Sequence, residues 1–80
     1  MGICFSDMNN RLVMLNNIDD IRYGMIGSAS GSGLIITDGK NKYGCVMTED
    51  KADRYLKLAK RQMNDNPNCM PFLDIKMSMC

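Results

Sequence analysis

A small α+β domain is the fold the sequence predicts: an antiparallel sheet of five to six strands with one amphipathic helix packed on one face. Three observations predict it. Short apolar runs bounded by Asn, Asp and Gly recur along the chain. One window, about residues 49–63, carries the three- and four-residue apolar spacing of a helix. Several strand patterns precede that window and one closes the chain after it, an order that points to an antiparallel sheet with the helix across one face.

Residues 3–8 and 11–15 are apolar runs separated by Asn9-Asn10, a dipeptide that tolerates left-handed backbone and favours a tight turn. Ile3 and Phe5 then point one way and Cys4 and Ser6 the other, as in an edge strand. After the polar stretch 16–20, Ile21, Tyr23 and Met25 alternate with Arg22, Gly24 and Ile26 over a third strand. The small residues Gly27 to Gly33 connect it to Leu34-Ile35-Ile36-Thr37, a continuous apolar run of the buried-strand type. Asp38-Gly39-Lys40-Asn41 predicts a β-hairpin turn into Tyr43–Met47.

Thr48 supplies a hydroxyl N-cap, and Glu49 and Asp50 place two anions at the positive end of the helix dipole. Ala52, Tyr55, Leu56, Ala59 and Met63 form the apolar face, and the turn formers 64–68, with Pro67, end the helix. In the closing strand Leu73, Ile75, Met77 and Met79 alternate with Phe72, Asp74, Lys76 and Ser78.

Eighty residues are expected to form a single domain, 1–80, because chains of this size remove only about 60% of their unfolded surface from water. A net charge of +1 gives no basic arm or acidic tail. The chain has no His, so the commonest general base and metal ligand are missing. Nine Met, eight Asn and a single Glu (Glu49) make a skewed composition that fits an A/T-rich genome, such as that of a bacteriophage or other virus.

Cys4, Cys45, Cys69 and Cys80 form no C-x-x-C pair, which speaks against a zinc ribbon or a thioredoxin motif. No secretory-length apolar segment precedes the domain. Four free thiols in a reducing, cytoplasmic compartment are therefore expected (the host cytoplasm, for a viral protein), with Cys45 a buried small hydrophobe and Cys80 exposed. No run of 18 or more apolar residues would span a membrane.

Several constellations invite a functional reading. Met1-Gly2-Ile3-Cys4-Phe5-Ser6 fits the N-myristoylation pattern, with Gly2 the acyl acceptor and Cys4 a second lipidation position. The edge-strand reading competes with it. Ser28, Ser30, Gly31 and Ser32, with Lys40 or Lys42, could surround an anion such as a nucleotide, yet the loop runs into a strand rather than a helix N-terminus. Asp19-Asp20 lacks a second acidic cluster to complete an oxygen cage. Asp38 and Cys45 fall on neighbouring strands, but a Cys nucleophile lacks a base here. Tyr23, Tyr43 and Phe72 could stack bases on a sheet, although no ribonucleoprotein motif is present.

The helix carries the clearest charge asymmetry, with Lys51, Arg54, Lys57, Lys60 and Arg61 against one carboxylate between residues 51 and 62. The expectation drawn from these features is a non-enzymatic protein-interaction module with no metal and no cofactor. It would be a phage or viral inhibitor that binds and occludes a host factor, such as a defence nuclease or a nucleoprotein complex, through the basic helix and the serine-glycine loop. Nucleic acid is a weaker expected partner, and the free edges of a small sheet suit a homodimer. The alternative is a protein that binds or sequesters a small anionic ligand at a subunit interface.

Overall fold

Asp7 closes the first hairpin of the computed structural model, which describes residues 2–27, 31–65, 68 and 70–79. Its carboxylate accepts the amides of Asn9 at 2.8 Å and Arg11 at 2.9 Å, while Asn10 takes a φ of 63°. That left-handed residue is one Asn tolerates better than most, so the turn is set by local chemistry. It joins β1 (Ile3–Ser6) to β2 (Leu12–Leu15). β3 (Asp20–Gly27) pairs antiparallel with β4 (Gly31–Thr37). Gly31, Ser32 and Gly33 thus belong to β4, which starts earlier than its apolar run implies.

The turn after β4 follows the predicted design. The Asp38 carboxylate accepts the amides of Lys40 at 3.0 Å and Asn41 at 2.7 Å, and Gly39 adopts a φ of 89° that a side chain would strain. Strand β5 (Lys42–Val46) returns antiparallel to β4, with Thr37 opposite Lys42 and Gly33 opposite Val46. A Cβ on Gly33 would overlap the Cys45 carbonyl, so glycine permits the close approach of the two strands there.

Helix α1 (Glu49–Asp65) begins where Thr48 caps it, its hydroxyl accepting the Lys51 amide at 3.3 Å. It runs two residues beyond the predicted end. Its buried residues Ala52, Ala59 and Met63 fall on the face that the apolar spacing marks. Strands β6 (Phe72–Lys76) and β7 (Ser78–Met79) complete the chain's elements.

The fold is α+β, with one helix and two sheets of order β2-β1-β6 and β3-β4-β5-β7. The sequence predicts one antiparallel sheet; instead the closing strand divides at fully buried Met77, and its two parts join different sheets. β7 pairs antiparallel with β5, but β6 pairs parallel with β1. β1 is consequently the central strand of its sheet, not an edge.

The inner faces of both sheets and the helix share one core. Ile3, Phe5, Leu15 and Leu73 come from the three-stranded sheet, and Ile21, Leu34, Ile36 and Tyr43 from the four-stranded one. Phe5 and Tyr43 meet edge to face, with ring centroids 5.2 Å apart, a favoured aromatic geometry that locks sheet to sheet. Burying each such side chain stabilises the fold by about 1.5–3 kcal/mol before entropy is counted.

Candidate functional site: an apolar face on the three-stranded sheet

Alternation along β1, β2 and β6 sends Phe5, Val13 and Leu73 inward and leaves the residues between them on the opposite face. The register aligns Phe72, Cys4 and Met14 in one row and Lys76, Ser6 and Leu12 in the next. Leu12 is 60% exposed, Met14 58% and Phe72 49%. Cys4, flanked by Met14 and Phe72, is buried, and its thiol donates to the Pro71 carbonyl at 3.3 Å. Burial raises the Cys4 thiol above its ordinary value of 9.0, so the group is a neutral thiol at physiological pH. The face is an apolar strip with Ser6, Asp74 and Lys76 beside it. It has no charge on its β2 side, and Leu12, Met14 and Phe72 remain exposed on it.

The sequence reading missed this strip. In β2 the residues are Leu-Val-Met-Leu, so no polar partner marks which side faces water. Phe72 alone carried a signal, since it shares the polar side of its strand with Asp74 and Lys76. The three aromatic residues grouped as a stacking platform do not share a face. Tyr43 is buried against Phe5, Tyr23 is half-buried on the core side of β3, and Phe72 stands outside the other sheet.

All five helix cations, Lys51, Arg54, Lys57, Lys60 and Arg61, are exposed. Two of them are matched on the helix itself: Lys57 pairs with Asp53 at 3.0 Å and Arg61 with Asp65 at 3.8 Å. Over Glu49–Asp65 five cations meet four carboxylates, Glu49, Asp50, Asp53 and Asp65, a net of +1. The asymmetry read from the shorter window is therefore largely compensated. Such exposed pairs contribute only about 0–1 kcal/mol each, which leaves the cations available to a partner. Leu58, 43% exposed, lies among them.

The anion-site residues are not brought together. Ser28 and Ser30 lie outside the described residues. Gly31 and Ser32 open β4, whereas Lys40 and Lys42 lie at its far end in and after the next turn. Five residues of strand from Ser32 to Thr37 put about 16 Å between the two ends. The depression of about 330 Å³ beside Lys40 and Lys42 is also lined by Asp19, whose charge opposes an anion.

Gly2 and Cys4 sit in and beside the central strand β1, and a Cβ on Gly2 would lie 2.7 Å from the Leu15 carbonyl oxygen. The Cys4 thiol is buried between Met14 and Phe72 on the outward face, so it is not presented as an open acylation position. Cys4 and Cys45 are free, Cys45 being half-buried rather than fully buried, and Cys69 and Cys80 lie outside the described residues. Among the described residues no group of three or more Cys, Asp or Glu is arranged to hold a metal ion, and no helix is long and apolar enough to cross a membrane. No family model, curated protein or solved structure matches this chain.

Proposed function

We propose that the protein is a non-enzymatic protein-binding module that inhibits its partner by occluding it, and that it docks through the outward face of β2, β1 and β6. The observation that carries this reading is the shared outward face of Leu12, Met14 and Phe72, large apolar side chains held about half exposed or more on the sheet. Contiguous exposed apolar surface flanked by polar residues is the usual mark of a protein interface. Aromatic and Met side chains are enriched at such interfaces, the first as large anchors and the second as adaptable apolar contacts. The finer reading, a viral inhibitor of a host factor, draws support from the skewed composition and the small size.

The test uses wild type and Phe72→Lys as baits against a lysate of the cell in which the protein acts. Phe72 is outward and exposed, so the variant keeps the fold. A partner held by wild type and lost with Phe72→Lys supports the face, and loss of that partner's activity on adding wild type supports inhibition. Equal retention by the variant overturns the assignment. The basic helix is a second contact surface in the same reading, supported by the exposure of its five cations. Charge reversal at Lys57 and Arg61 that leaves the partner bound removes the helix from the account.

A further inference from the structure

We propose that a second copy of this chain completes the docking face, its β2 pairing antiparallel with β2 of the first across a two-fold axis at Val13. This inference rests on the docking face assigned above and names the partner on its open side.

The backbone of β1 fixes which groups of β2 are free. The Cys4 amide donates to the Pro71 carbonyl and the Ser6 carbonyl accepts the Met77 amide, both at 2.9 Å, so residues 4 and 6 of β1 turn their polar groups toward the β6 side. The Asp7 amide donates to the Arg11 carbonyl at 2.9 Å; residues 3, 5 and 7 therefore turn theirs toward β2. In the observed register Ile3 faces Leu15 and Phe5 faces Val13, while Cys4 faces Met14 and Ser6 faces Leu12. Antiparallel ladders alternate bonded and non-bonded pairs. Leu12 and Met14 are the non-bonded ones, so their amides and carbonyls point away from β1, to the side where the described residues supply no strand.

This edge is self-complementary. Placing a two-fold axis at Val13 sets Leu12 opposite Met14 of the second copy and Met14 opposite its Leu12. Each pair exchanges two hydrogen bonds, so all four outward groups of β2 are satisfied in each copy. Paired residues share a face, so the apolar strips of the two copies merge into one. Natural edge strands are guarded against such pairing by charges, proline or bulges; Leu12–Leu15 has none of these.

Edge pairing also enlarges the docking face. Three strands about 4.8 Å apart and about 15 Å long cover a footprint on the order of 200 Å². A standard protein interface takes about 800 Å² from each partner. Edge pairing doubles the face to roughly 400 Å², nearer to that area, without covering Leu12, Met14 or Phe72.

Native mass spectrometry of the intact protein, with Met14→Pro and Phe72→Lys beside it, tests the proposal. Proline at Met14 removes an outward donor and no bond to β1. Wild type is expected at twice 9.0 kDa, Met14→Pro at the single mass, and Phe72→Lys at the doubled mass though defective in docking. A wild type that stays at the single mass, or a Met14→Pro that stays doubled, overturns the pairing. A dimer whose partner binding survives Phe72→Lys overturns the docking face instead. If circular dichroism finds Met14→Pro unfolded, hydrogen exchange of wild type decides: slow exchange at the Leu12 and Met14 amides is expected, and rapid exchange overturns the proposal.

Discussion

The outward face of the four-stranded sheet carries Gly24, Gly33 and Gly44 around Ile35, which is 2% exposed. The outward face of the three-stranded sheet carries Leu12, Met14 and Phe72 in the open. A Cβ at Gly24 would stand 3.2 Å from the Ile35 Cδ1, so Ile35 fills room that the missing side chain leaves. Among the described residues, the four-stranded sheet therefore covers Ile35 and leaves only Val46, 58% exposed, open at the end of β5 on that face, whereas the three-stranded sheet leaves Leu12, Met14 and Phe72 open. A residue covered by its own sheet contributes to stability, and residues left open are free for recognition.

The largest effect that sharpens this contrast is at the junction of the two sheets. Phe5→Ala should cost about 3–5 kcal/mol, much of the total for a chain of this size, whereas Phe72→Ala should change stability by no more than about 0.5 kcal/mol. Urea unfolding of both variants measures it. Equal losses would mean that Phe72 is packed rather than presented. Next come the two outward faces themselves: Ile35→Ala is expected to cost about 2–5 kcal/mol and Met14→Ala about 0.5 kcal/mol or less. A cheap Ile35→Ala would break the comparison. A smaller loss, about 1 kcal/mol, is expected for Thr48→Ala, which removes the helix cap from α1 and should leave docking untouched.

The smallest effect is a pH dependence. The Asn41 and then the Lys40 amide hold the Asp38 carboxyl below its ordinary value of 3.8. A lowered folded value makes the contribution present above the unfolded value and lost as the pH falls through the folded one. Asp38→Asn should flatten stability measured across acid pH below about 4. An unchanged acid limb would detach Asp38 from turn stability.

The features legible in the sequence were those with local chemistry. Asp38-Gly39 specified a turn because both its carboxylate bonds and its left-handed φ are made within four residues. Thr48 marked the helix start for the same reason. Alternation in 72–79 correctly put Leu73 and Met77 inside and Phe72 outside but failed at Met79, which is 61% exposed at the end of β7. That alternation says which face a side chain takes but not which strand lies alongside. The parallel pairing of β6 with β1 was therefore hidden, as was the change of sheet at Met77, where the pattern runs on unbroken. The apolar strip was illegible for a different reason, because Leu12–Leu15 has no polar residue to reveal a period. The basic helix misled by the length of the window chosen, since Glu49, Asp50 and Asp65 lie just outside it.

The parallel pairing of β1 with β6 has a consequence for synthesis. On the β6 side the Cys4 amide and the Ser6 carbonyl find their partners only at Pro71 and Met77, and at about 5–20 residues per second a ribosome needs roughly 3–14 s to make the intervening chain. For that interval β1 and β2 lack their third strand, Ile3 and Phe5 are uncovered, and a two-stranded hairpin alone is at best marginally stable. Whatever meets the nascent chain in those seconds, a chaperone or a neighbouring copy on the same message, meets a surface that the finished protein never shows.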